Sequence, residues 1–242
     1  MIDHIIIAAH GAGNESETNR AIRALADRIT DLHPRCTADA AFNLGDPSFA
    51  DAARTAQDAP PLIIPLLTSD GYYTRTRLIP SVIDANPAAA VCPPIGLDPA
   101  LGTAIAERIE HAIRRAPARP GRVLVVGHGT ERHAQSSVTT RALAARAQTR
   151  LRSCAPGWSV TDAYLDQHPL LDEAATENRG PLLVVPWLLG GGGHDRDDIA
   201  RRLGIASDTP RGEWIHPPDT AHARCVLPAL LETDDLASAT AR

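Results

Sequence analysis

The chain has 242 residues, a formal net charge of -5 and 43% hydrophobic residues, an ordinary globular composition with room for two α/β units of about 120 residues each. No basic face is concentrated anywhere, which argues against a nucleic-acid partner. No run approaches the roughly 18 apolar residues of a membrane span, and no basic segment leads into an apolar one at the N-terminus, so neither a membrane nor a signal peptide is expected and the cytoplasm is the expected compartment.

Taken in chain order, short apolar runs alternate with amphipathic stretches. Ile5–Ala9, Ala38–Phe42, Leu62–Leu66 and Ala90–Cys92 read as strands apolar on both faces, as in a parallel sheet. Helices are expected near Glu17–Leu32, Phe49–Ala56, Arg77–Asp84 and Ala100–Arg115, the last opened by Asp98 as N-cap and Pro99 at the first position. After a linker at Ala116–Gly121, further strands are expected at Val123–Gly127, Val160–Tyr164, Leu182–Leu188 and Trp214–His216, and the tail beyond Glu232 reads as frayed. Strand–helix alternation predicts a doubly wound parallel sheet with helices on both faces. Aromatics make up only 3%, so the core must be Ala, Leu, Ile and Val. Cys36, Cys92, Cys154 and Cys225 form no C-x-x-C pair, which excludes a zinc ribbon and leaves reduced, buried thiols as the expectation.

The second half repeats the first. Ile5–Gly11 and Val123–Gly129 are both apolar runs ending in His-Gly, with His10 and His128 separated by 118 positions. At the same offset Arg23-Ala24-Leu25-Ala26 meets Arg141-Ala142-Leu143-Ala144, and Cys36 meets Cys154. Small insertions then shift the offset: Ala41-Phe42 and Pro47 meet Ala163-Tyr164 and Pro169 at 122, and Leu62–Pro65 meets Leu183–Pro186 at 121. The ordered matches predict two similar α/β domains, residues 1–117 and 121–232.

Working groups in open α/β sheets gather beyond the carboxyl ends of the strands. His10 and His128 stand at such ends. Pro186–Ile199 runs from a strand through four glycines, Gly190–Gly193, into His194 and a helix whose first turn is acidic. Glycines there let a flat ligand approach the backbone, and no G-K-[ST] follows to make a phosphate loop. Tyr164-Leu165-Asp166-Gln167-His168-Pro169 places Asp166 at a third strand end, where the competing reading is an N-cap for a helix over 170–177. His128, His194 and Asp166 together suit a borderline divalent ion, and the imidazoles equally serve as bases.

His-Gly after strand one, Tyr164–Pro169, and Pro186–Ile199 in the pattern P-x-L-L-x-x-G-G-H-x-x-x-D-I resemble the class II tetrapyrrole chelatases, the sirohydrochlorin cobaltochelatase and ferrochelatase (CbiX/SirB) family, over nearly the whole chain. The resemblance implies two lobes around a central cleft and ATP-independent insertion of a divalent metal into sirohydrochlorin for cobalamin or siroheme. It implies no cofactor beyond the substrate metal, Co²⁺ or Fe²⁺ with Ni²⁺ also compatible, and a monomer that is its own two-lobed unit. His128 and His194 are then expected to bind metal and accept pyrrole protons, with Asp166 assisting. Arg75, Arg77, Arg132 and Arg196 are the cations for the substrate carboxylates, and Gly192, Gly193 and His10 join them on the tetrapyrrole. In the first half Leu44 and Tyr73 stand where Asp166 and His194 stand in the second, so the first lobe is expected to bind substrate without a metal site. A histidine phosphatase is excluded by Ala9 and Gly127 before the two histidines, since that family places an Arg there. A non-catalytic metal or tetrapyrrole carrier on the same fold is the alternative.

Overall fold

The computed structural model describes residues 2–14, 16–56, 60–130, 135–177, 180–188, 197–216 and 222–229. In the first half β1 (His4–Gly11), β2 (Thr37–Leu44), β3 (Leu62–Leu66) and β4 (Ala90–Val91) form one parallel sheet in the order β2-β1-β3-β4. In the second, β5 (Gly121–Gly127), β6 (Trp158–Tyr164), β7 (Leu182–Pro186) and β8 (Arg224–Val226) form another in the order β6-β5-β7-β8. The two sheets share one topology, so the duplication read from drifting offsets is also a duplication of fold. Each half has a cis peptide bond before the proline of its second connection, Asp46-Pro47 and His168-Pro169.

Helices flank the strands as the doubly wound pattern requires. In the first half these are α1 (Glu17–Leu32), α2 (Phe49–Thr55) and α3 (Ile79–Ala85). In β1 successive side chains point to opposite faces. Ile6 and Ala8 pack with Phe49, Ala52, Leu78 and Val82 on one side, and α1 turns its buried Ile22, Leu25 and Ile29 to the other. The second half repeats this with α5 (Gln135–Cys154), α6 (Leu171–Thr176) and α7 (Ile199–Leu203). There Leu124 and Val126 pack with Leu171, Ala174, Ile199 and Leu203. The equivalence is close: Leu78 and Val82 meet Ile199 and Leu203 at the offset of 121, and all four are buried.

Four features depart from the sequence expectations. The fourth strand of the second sheet is Arg224–Val226, not Trp214–His216. Ile215 makes only an isolated antiparallel bridge to Arg224, while Trp214 leaves the sheet to stack edge-on against Trp158 and to donate from Nε1 to the Ala112 carbonyl at 3.0 Å. The compact units divide at Asp98/Pro99, one helix before the linker between the two sequence repeats. Helix α4 (Pro99–Arg114) begins at Pro99 as its capping sequence requires, but packs on α5 and β7 of the second unit. Of the four cysteines, all free, only Cys225 is buried, and burial pushes its thiol up to about 11. Cys154 closes α5 at the surface. Among the described residues no helix is long and apolar enough to cross a membrane.

Candidate functional site

At the ends of β1 and β5 the two His-Gly pairs share one backbone device. Gly11 and Gly129 have φ of +73° and +76°, a region that side chains with a Cβ disfavour. A Cβ on Gly129 would lie 2.7 Å from the Gln167 Cβ and 2.8 Å from the Tyr164 Cβ, and one on Gly11 would run into the Leu44 carbonyl oxygen. Glycine therefore lets the end of the neighbouring strand close against the histidine. In the second unit this contact is stitched by hydrogen bonds: Asp166 N–H donates to the His128 carbonyl at 2.9 Å, Leu165 N–H to the Gly127 carbonyl at 3.1 Å, and Thr130 N–H to Gln167 Oε1 at 3.1 Å.

The stitching brings Asp166 beside His128. Asp166 Oδ2 lies 3.4 Å from His128 Nδ1, and the Gly129 carbonyl lies 3.2 Å from the same nitrogen. Both are acceptors, so the ring proton belongs on Nδ1 and the lone pair on Nε2. A carboxylate or carbonyl behind one imidazole nitrogen is the arrangement that orients a metal-binding histidine. Both side chains are well exposed, 67% and 60%, so the pair opens to solvent where a substrate can reach it. Asp166 is not a helix cap: α6 starts at Leu171, and it is Glu173 Oε2 that accepts from the Leu170 N–H at 3.3 Å.

The first unit uses the same position differently. The Asn43 amide Nδ2 faces His10 Nδ1 at 3.2 Å. An amide nitrogen can only donate, so His10 Nδ1 faces a donor where His128 Nδ1 faces two acceptors. Tyr73 lies against the His10 ring at a centroid distance of 4.3 Å, and Tyr72 meets Tyr73 edge-on at 5.8 Å. Leu44 is half exposed. Arg75 is already paired, its Nη2 and Nε reaching Asp70 Oδ2 at 2.8 and 3.2 Å, and that bond together with the Asp70 charge pushes its pKa further up.

His194, Arg132, Arg196, Gly192, Gly193 and His133 lie outside the described residues. Among the described residues no three His, Cys, Asp or Glu groups gather into a metal site. His128 and Asp166 do come together; His168 does not join them, its Nδ1 facing Glu173 Oε2 at 3.0 Å. The sequence reading missed Arg202. On α7, its Nη2 stands 4.0 Å from Asp166 Oδ1 and its Nη1 donates to Asp172 Oδ1 at 3.1 Å. The available signal was internal: at the offset of 121 Arg202 meets Ser81.

Two copies of one parallel-sheet unit, each with a His-Gly at the carboxyl end of its first strand, define the duplicated α/β fold of the chelatases. The CbiX family model matches residues 4–112 and again residues 122–230, so the chain belongs to the CbiX family. The probable sirohydrochlorin cobaltochelatase of Halobacterium salinarum is 23% identical over 222 residues, covering 81% of this chain and 74% of that protein. The structure of CbiX, the terminal enzyme for biosynthesis of siroheme in denitrifying bacteria, superposes with a TM-score of 0.72 at 24% identity, covering 99% of this chain and 96% of that one. SirB from Bacillus subtilis with Fe³⁺ superposes with a TM-score of 0.68 at 17% identity, covering 100% and 93%.

Proposed function

We propose that the protein inserts a divalent metal, Co²⁺ or Fe²⁺, into sirohydrochlorin without ATP, and that the reaction runs at the second unit. Membership of the CbiX family supports the reaction class, and the name of the Halobacterium salinarum relative supports the substrate. The observation that carries the site is what faces each ring: His128 turns Nδ1 to the Asp166 carboxylate and the Gly129 carbonyl, which leaves Nε2 as the lone-pair nitrogen, whereas His10 turns Nδ1 to an amide nitrogen.

Insertion exchanges two pyrrole protons for one metal dication, so charge balances only when both protons leave the macrocycle. His128 accepts one through Nε2, and Asp166 behind Nδ1 stabilises the imidazolium that results. His194 is the second acceptor. In the first half Tyr73 and Leu44 supply no base and no carboxylate at the matching positions.

The test is the initial rate of metallation of metal-free sirohydrochlorin by Co²⁺ or Fe²⁺, followed by absorbance, for wild type and three alanine variants. His128→Ala and His194→Ala should each lose on the order of 10²–10⁴ in rate, and His10→Ala about tenfold or less. A dead His10→Ala beside an active His128→Ala would place the chemistry in the first unit. Binding of metal or tetrapyrrole by wild type with no acceleration over the uncatalysed rate would make the protein a carrier.

A further inference from the structure

Arg202 stands on α7 with its side chain only 20% exposed, between two carboxylates. Nη1 donates to Asp172 Oδ1 on α6 at 3.1 Å, and Nη2 lies 4.0 Å from Asp166 Oδ1 at the end of β6. Asp166 turns its other oxygen to His128 Nδ1. The four side chains form one line of alternating charge capacity, His128–Asp166–Arg202–Asp172.

The duplication supplies an internal control. The matching positions in the first half are His10, Leu44, Ser81 and Ala50. The alignment there is secure, because Phe49 and Leu171, Leu78 and Ile199, and Val82 and Leu203 are buried as equivalent pairs. The first half therefore builds the same two helices on the same sheet with none of the three charges, so the fold does not require them. They occur together only in the half where a histidine is backed by a carboxylate. Packing alone does not explain Arg202 either. Its Nε is buried with no hydrogen-bond partner among the described residues, a cost that an apolar side chain of similar size would avoid.

We infer that Arg202 is a positioning residue: anchored by Asp172, it fixes the Asp166 carboxylate against His128 and so sets how well the single Nε2 lone pair of His128 binds the incoming metal and, once the metal has left it, accepts a proton. The same guanidinium ties Asp166 at the end of β6 to α7. This rests on the chelatase reading for its catalytic half and on geometry alone for its metal-binding half.

The experiment uses the full chain as Arg202→Gln, Arg202→Lys and Asp172→Asn, with wild type and His128→Ala for reference. Co²⁺ alone is titrated anaerobically and followed by its own absorption, and kcat and KM for metallation are measured separately. Arg202→Gln should weaken the His128-dependent Co²⁺ affinity on the order of 10–100-fold and lower kcat similarly, while KM for the tetrapyrrole stays within about twofold. Arg202→Lys, which keeps the charge without the fork, should recover part of both losses. Asp172→Asn should move both in the same direction by less. Co²⁺ affinity in Arg202→Gln equal to wild type overturns the inference. So does a lysine variant no better than glutamine when both simply melt earlier. Should Arg202→Gln not fold, unchanged Co²⁺ affinity in Asp172→Asn overturns it. Wild type that binds Co²⁺ through His128, loses it in Arg202→Gln and never metallates refutes the chelatase reading and supports the inference.

Discussion

Gly129 shows how far the site depends on backbone as well as side chains. With φ at +76° and the Tyr164 and Gln167 Cβ atoms under 3 Å from where its own would be, Gly129→Ala combines a left-handed backbone cost of about 1–2 kcal/mol with a steric clash. The clash must push the end of β6 away and take Asp166 with it. The expected result is a lower urea midpoint together with a metallation rate that falls further than stability accounts for; a variant that is destabilised but fully active would show that the Asp166–His128 contact is dispensable. The histidines themselves were legible, since each ends an apolar run. The groups that face their Nδ1 atoms were not. Gly11 pairs with Leu44 and Gly127 with Tyr164 across the parallel ladders, which puts Asn43 beside His10 and Leu165 beside His128. The register is the same in both units, Ala9 facing Phe42 as Gly127 faces Tyr164, so the difference is one residue identity, Asn43 against Leu165 at matching positions, and no periodicity within either run reveals it. Arg202 escaped for a related reason: its partners, Asp166 and Asp172, are 36 and 30 residues away along the chain.

Among the elements, the helices and seven of the eight strands followed from periodicity and caps, whereas β8 did not. Trp214-Ile215-His216 and Arg224-Cys225-Val226 are equally short, and only pairing with Leu182–Val184 chooses between them. The exposed edges of the two sheets are closed by a shared device that periodicity also hides. Ala38 N–H on β2 donates to Thr30 Oγ1 at 2.8 Å, and Val160 N–H on β6 donates to Gln148 Oε1 at 2.7 Å. Thr30 and Gln148 are equivalent at the offset of 118, so the helix that follows the first strand of each sheet reaches over to satisfy its own edge strand. Unsatisfied edge amides invite pairing with another chain. Gln148→Met keeps the length and removes the acceptor, leaving the Val160 amide buried and unpaired at a cost of about 1–3 kcal/mol. The expected outcome is a lower denaturation midpoint and concentration-dependent self-association by light scattering; an unchanged midpoint would mean that another group takes over the amide.

At the scale of the molecule, the sequence repeat and the structural unit are out of step by one helix. The family model places residues 4–112 in the first repeat, yet α4 belongs to the unit that begins at Pro99. Its buried Leu101, Ile105, Ile109 and Ile113 face that unit, and Glu110 Oε2 accepts from Arg150 Nε at 2.6 Å. Each buried Leu or Ile truncated there costs about 2–5 kcal/mol, against a total stability of roughly 5–15 kcal/mol. A fragment of residues 99–233 should therefore melt cooperatively, while one of residues 121–233 should lack a cooperative transition by circular dichroism. Equal melting of the two would mean that α4 is an ornament. The duplication was plain in the sequence because both copies keep the same order of matches; the crossing of α4 was not, because an amphipathic stripe says that a helix is buried and nothing of which sheet buries it. The offset also governs how such chains can recombine. A chimera joined at the proline-rich segment near 117–121 hands one unit a helix shaped for another relative's core, whereas a crossover just before Pro99 passes on a whole unit with its own covering helix.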